Sequence, residues 1–163
     1  MNKFLGHLST INKHRNLVLS MCLKCGMYKQ GLLHDLSKYS PQEFIPSVKY
    51  FHGDKSPITY EKQDKGCSLC WLHHKGRNKH HWEYWTDRMG NELVSIQMPF
   101  NYMLESVLDK IAASKVYKKD QYNNNYPIDF YTSSYEINVM NKTTSRQIGL
   151  LLTYLKDKEF IKK

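Results

Sequence analysis

Apolar residues recur at three- and four-residue steps along nearly the whole chain, and that spacing confines the fold to helices that each bury one face. In the first clear segment Ile11, His14, Val18, Met21, Cys22 and Cys25 share a stripe, with Ser9 or Thr10 as candidate N-cap and Gly26 as the stop. This predicts a helix over about 10–25 and a shorter one over about 31–39. Ser40-Pro41-Gln42-Glu43 then has the form of a capping box with proline at the first helical position, opening a third helix that Pro46 should distort. Residues 52–66, with Gly53, Pro57 and several lysines, suggest a polar loop. Cys67, Cys70, Trp71 and His74 fit one face of a further helix, Gly76-Arg77-Asn78 breaks it, and another helical segment is expected from about His80. A long helix over 99–118 should bury Phe100, Leu104, Val107, Leu108 and Ile111. Residues 120–134 suggest an ordered loop, and a last helix from about Thr143 should pack through Ile148, Leu151, Leu152 and Leu155. Only 93–98 suggests extended chain. The expectation is therefore all-α, a compact bundle of about five to seven helices forming a single domain over 1–163.

Size and composition agree with a packed domain. A chain of 163 residues buries roughly 70% of its unfolded surface, enough for a core without disulfide or metal staples. At 40% hydrophobic and 13% aromatic it lacks the signature of an unfolded tail. Its clean apolar runs are a few residues long, against the ~20 that a spanning helix needs. Asn2, Lys3, His7, Asn12 and Lys13 interrupt any N-terminal signal core. The cytoplasm is thus the expected compartment, and a membrane is not an expected partner.

The formal charge of +9 is uneven: residues 1–82 carry 13 basic and 5 acidic side chains together with all eight histidines. Such a field draws small anionic substrates and nucleic acid alike, although a basic excess also serves solubility alone. The four cysteines form two C-x-x-C pairs, Cys22/Cys25 and Cys67/Cys70. A four-thiolate zinc site is one reading. The 41 intervening residues are about twice the usual ribbon spacing, and inert buried thiols on helix faces are the other reading.

The sharpest pattern is His14, His34-Asp35, His73/His74, His80/His81 and Asp109. Imidazole and carboxylate together suit Mn, Fe, Zn, Ni or Mg, and one or two such divalent ions are the expected cofactor. His14 lies on the apolar stripe of its helix, and His34-Asp35 is set among Leu32, Leu33 and Leu36. Interior groups of this kind need hydrogen bonds or a cation, because an unpaired buried charge is far too costly.

The string His34-Asp35-Leu36-Ser37-Lys38 resembles the HD-x-G-K core of the HD-domain metal-dependent phosphohydrolases, with Ser where that superfamily often has Gly. The resemblance implies an HD-like helical domain in which His14, His34, Asp35 and Asp109 hold one metal. Further histidines, one of His73/His74 and one of His80/His81, would hold a second. The strings GLLHDLSKYSPQEF, WLHHKGRNKHHWEYW and MPFNYMLESVLD are also similar to an uncharacterised family of small bacterial and phage proteins, over about 10–115, without an established activity. A bacterial or phage-infected cytoplasm is the setting this implies.

The implied reaction is hydrolysis of a nucleotide or related small phosphate ester by a metal-activated water. Asp35 would bridge two ions, and Lys38 would reach a phosphate as a point charge. Arg15, Arg77 and Lys79 adjoin the ligands and are candidates for further phosphate contacts. Glu105, four residues before Asp109, is a candidate ligand, general acid/base or orienter, with pairing to a lysine as the simpler alternative. Trp71, Trp82, Tyr84 and Trp85 suit the core, or stacking on a nucleobase. Because His73–His80 and His74–His81 would lie ~10 Å apart on a continuous helix, a shared site requires the Gly76-Arg77-Asn78 break to fold the chain back. Competing readings are a di-iron HD-type oxygenase, a zinc-binding nucleic-acid protein or nuclease built on Cys67, Cys70 and the nearby histidines, and an idle HD-like binding module. Nucleic acid and a second copy of the chain are the other compatible partners.

Overall fold

A computed structural model describes residues 2–158. Among these, nine α-helices and one two-stranded hairpin make up the regular structure. Helix α1 (Lys3–Lys24) starts earlier than the apolar stripe suggested, because Asn2 accepts hydrogen bonds from the Phe4 and Leu5 amides at 2.9 and 3.4 Å. It lies along α6 (Phe100–Lys118), the central helix, which α7 (Tyr126–Thr132) and α9 (Lys142–Leu155) flank. Val18, Met21 and Cys22 of α1, Met103, Val107, Leu108 and Ile111 of α6, and Ile148 and Leu152 of α9 form the core. Each such side chain stabilises the fold by roughly 1.5–3 kcal/mol. Phe100, expected inside, is 63% exposed, and Met103 leads the buried face instead.

Helix α2 (Tyr28–Leu33) rests on α1 at Gly31, where a Cβ would stand 2.9 Å from Cys22 Cβ and 3.0 Å from Leu19 Cδ1. It ends at Leu33, so the expected helix over 31–39 divides at His34-Asp35 and resumes as a 3-10 turn, Leu36–Tyr39. Helix α3 (Pro41–Lys49) forms as expected with Pro46 inside it, but Ser40 makes no side-chain cap and Glu43 turns inward. The expected polar loop contains α4 (Pro57–Lys65), framed by proline at its start and left-handed Gly66 at its stop. Its sequence is too polar to show a stripe. Helix α5 (Leu69–Lys75) starts at Ser68, whose Oγ accepts from the Trp71 amide at 2.9 Å, leaving exposed Cys67 outside.

Beyond α5 the chain departs from the helical expectation. The segment from His80 forms turns and a short 3-10 stretch, Trp82–Trp85, followed by strands β1 (Thr86–Met89) and β2 (Glu92–Ser95). These pair antiparallel around Gly90, whose φ of 62° suits the tight reversal. The strands are largely exposed, so neither carries the alternating burial that would mark it in a sequence. Two more short helices, α7 and α8 (Glu136–Val139), occupy the stretch after α6. No described helix is long and apolar enough to cross a membrane.

Candidate metal centre

Five segments deliver the titratable residues to one place. His14 sits on the buried stripe of α1 with Ile11 and Val18. Where α2 ends, Asp35 adopts φ 54° and ψ 23°, a left-handed conformation that Asp tolerates better than most residues, at a cost of about 1–2 kcal/mol. The reversal leaves Asp35 completely buried, and the following 3-10 turn brings Lys38 Nζ to 2.5 Å from Asp35 Oδ2. Lys38 thus arrives through a turn and not along a helix shared with His34. At the end of α5 the chain folds back, as the Gly76-Arg77-Asn78 break requires: Asn78 Nδ2 donates to His74 O at 2.8 Å and to Ser37 Oγ at 2.8 Å. The return places His80 and His81 beside His74, and α6 supplies Glu105 and Asp109.

The two oxygens of Asp35 face two different groups. Oδ2 lies 3.5 Å from His14 Nε2 and 3.4 Å from His34 Nε2, and Asp109 Oδ1 lies 2.9 and 3.4 Å from those nitrogens. Oδ1 lies 3.4 Å from both His74 Nε2 and His80 Nε2, with His81 completing that group. Ligand atoms about 3.4 Å apart on a tetrahedron correspond to metal–ligand bonds of roughly 2.1 Å, the length expected for Zn–N and Zn–O. Polar atoms left over at the same place support this fit. Asp35 Oδ1, His80 Nε2 and His81 Nε2 are buried without a hydrogen-bond partner, while Asp35 Oδ2 meets the Lys38 ammonium, and a natural fold rarely leaves several such atoms converging. The donor sets, His14/His34/Asp35/Asp109 and Asp35/His74/His80/His81, therefore fit two cations that share one carboxylate.

Electrostatics point the same way. Burial opposes charge on Asp35, yet His34, Lys38 and His74 hold its carboxyl well below the usual range, and His14 and His34 do the same for partly buried Asp109. Burial likewise opposes charge on His34, but Asp35, Asp109 and Glu105 together raise its pKa well above the ordinary value. Burial pushes His80 and His81 down. The site thus keeps Asp35 and Asp109 ionised among cationic neighbours and holds neutral, ligand-competent imidazoles at residues 80 and 81.

The proposed site residues do not all converge. His14, His34, Asp35, His74, His80, His81 and Asp109 converge, whereas His73 joins neither ligand group: its Nδ1 faces Glu43 Oε1 at 2.7 Å. Lys38 lines the cleft above the site. Glu105 does not line it; its Oε1 lies 2.8 Å from His34 Nδ1 and 3.2 Å from His80 Nδ1, which corrects the general acid/base reading. Arg15 is corrected too, since its guanidinium donates to His34 O at 2.8 Å and Leu32 O at 3.1 Å and so ties down the turn. Arg77 and Lys79 are exposed outside the cleft, and Lys79 lies over the rings of Tyr84 and Tyr102. All four cysteines are free thiols, none belongs to a ligand group among the described residues, and Cys22 and Cys70 are buried with their thiol pKa raised by desolvation.

Glu43 was the residue that sequence reasoning missed. It reads as a helix cap, yet it is 2% exposed and its Oε2 lies 2.7 Å from His74 Nδ1. The cleft itself holds about 640 Å³, with Lys38, His14, His74, His81 and Asp109 at the site. Trp71, Trp82, Lys55 and Lys118 lie along its walls, but Tyr84 and Trp85 do not.

One family model matches the chain, over residues 3–153: a family of unknown function, DUF5662. No curated protein and no solved structure matches it.

Proposed function

The chain belongs to the DUF5662 family, whose function is unknown, and we propose from its own residues that it is a metal-dependent phosphohydrolase of the HD type, acting on a nucleotide or related small phosphate ester. The observation that carries this reading is Asp35, whose two oxygens face two imidazole-rich groups at an open cleft. Divalent ions held there would lower the pKa of a bound water and neutralise charge on phosphoryl oxygens.

The chain's own groups would do the rest. Lys38, fixed by Asp35 at 2.5 Å, offers an ammonium to a phosphate oxygen at the cleft floor. Lys55 and Lys118 offer further cations to anionic groups, along walls that also hold Asp54, Glu83 and Glu136. Trp71 and Trp82 offer apolar surface to the organic part of the ester, and their flat rings suit a base. Attack of water on phosphorus then breaks the ester P–O bond and releases alcohol and phosphate.

The test is metal analysis of the wild type, His34→Ala and Asp35→Ala, combined with a nucleotide-hydrolysis panel. The expected result is bound transition metal and phosphate release in the wild type, with both lost in the variants. Metal retained by both variants would refute the site. Bound iron with oxygen consumption and no phosphate release would favour an oxygenase instead, and that set of results would refute the hydrolase.

A further inference from the structure

We propose that Glu105 and Glu43 are positioning residues of unequal reach: Glu105 orients one imidazole in each ligand group and so tunes both metal positions, whereas Glu43 acts on one position alone. This rests on the reading that the two groups hold metal. A neutral imidazole that donates its Nδ1–H to a carboxylate leaves the Nε2 lone pair free for a cation, with the ring direction fixed.

Glu105 meets that requirement twice with a single oxygen. Its Oε1 lies 2.8 Å from His34 Nδ1 and 3.2 Å from His80 Nδ1, and the two rings lie against one another with centroids 4.5 Å apart. The far nitrogens diverge. His34 Nε2 faces His14, Asp35 Oδ2 and Asp109, whereas His80 Nε2 faces Asp35 Oδ1. Glu105 is 5% exposed and stands one helical turn before Asp109, so α6 carries both a ligand and the group that aims two others.

Those three groups, Glu105, His34 and His80, also lie close enough to be taken for a third ligand set. The shared oxygen is at hydrogen-bond distance from both Nδ1 atoms, however. A cation placed there would have to displace the protons that leave both Nε2 atoms free.

Glu43 is built differently. Its Oε2 lies 2.7 Å from His74 Nδ1, and its Oε1 lies 2.7 Å from His73 Nδ1. Only His74 belongs to a ligand group, so His73 serves as an anchor that holds the second oxygen and fixes the carboxylate plane. The adjacent histidines thus divide into a ligand and the support of its orienter.

The experiment is calorimetric titration of the chelator-stripped full chain with Co²⁺, read also by visible absorption of the bound ion. Wild type is expected to bind two ions. Glu105→Gln, close to isosteric, should weaken both binding steps by about 10–100-fold, the usual effect of losing an outer carboxylate, and should shift the absorption bands of both ions. Glu43→Gln should weaken one step by that factor and leave the other as in wild type. An unchanged melting temperature in chelator would show that folding is intact. If Glu105→Gln weakens one step or neither, the proposal fails while the metal site stands. If wild type binds no ion, the metal reading fails as well. Histidine nitrogen NMR of the zinc-loaded wild type gives a check that needs no variant: His34 and His80 should both be metallated at Nε2, and metallation of either at Nδ1 overturns the proposal.

Discussion

Replacing Asp35 by Asn tests the shared carboxylate most directly. Asn retains the shape and tolerates the left-handed backbone at φ 54°, but it removes the charge that faces His14 and His34 on one side and His74 and His80 on the other. An ion present at a hundred times its dissociation constant stabilises the folded state by about 2.7 kcal/mol. Two ions would therefore contribute about 5 kcal/mol, or a rise in melting temperature of roughly 10–20 °C for a chain of this size. Asp35→Asn should abolish nearly all of that rise, whereas His14→Ala and His81→Ala, each confined to one group, should abolish about half. The assay is thermal unfolding with excess Mn²⁺ or Zn²⁺ against the same protein in chelator. An Asp35→Asn protein that kept half the metal-induced rise would refute the bridging role, because one group would then hold its ion without that residue.

Three further outcomes are expected. Gly31→Ala forces a Cβ against Cys22 and Leu19 at 2.9 and 3.0 Å; it should destabilise the fold by about 1–3 kcal/mol in denaturant unfolding and weaken metal binding by shifting α2 and the turn it feeds. Burial, helped by the charge of Lys38, pushes His7 down to about 4 from an ordinary 6.5, so the folded state holds it neutral while the unfolded chain takes up a proton first. In chelator, wild type should therefore lose stability relative to His7→Leu as pH falls from about 6.5 to about 4, by up to about 3 kcal/mol, and parallel urea midpoints across that window would contradict the assignment. Arg15→Ala removes the hydrogen bonds to His34 O and Leu32 O; metal affinity should fall with KM for a phosphate ester unchanged, and a raised KM with full metal content would restore Arg15 as a substrate contact.

The long amphipathic helices were legible because burial on one face leaves a three- and four-residue imprint. The stripe of α1 located His14, and the capping signals placed α3 and α6 close to their observed starts. The histidine constellation was also legible, since residue type and local hydrophobicity together mark an interior that needs hydrogen bonds or a cation. The rest was hidden for identifiable reasons. Helix α4 is polar and the hairpin strands are exposed, so neither carries a burial rhythm. His73 and His74 are chemically alike in sequence, and both rings meet Glu43 in space, but only the packing of α5 brings His74 Nε2 to Asp35 as well. Arg15 looked like a substrate contact because it adjoins a ligand along the chain, but its guanidinium meets main-chain carbonyls in space. The capping pattern at Ser40 and Glu43 concealed a tertiary role: Glu43 reaches two imidazoles from residues thirty positions later, and a local motif cannot report a partner that distant.

The wide separation of the ligands along the chain has a consequence for folding kinetics. Helices α1 and α6 contribute His14 and Asp109 to the same group, so an ion held there would bridge residues far apart in the chain, and the two helices could separate only after it was released. The centre would then act as a reversible staple between the first and the central helix. Chelation would open it, hastening global unfolding and exposing the chain to proteases without cutting or reducing a covalent bond.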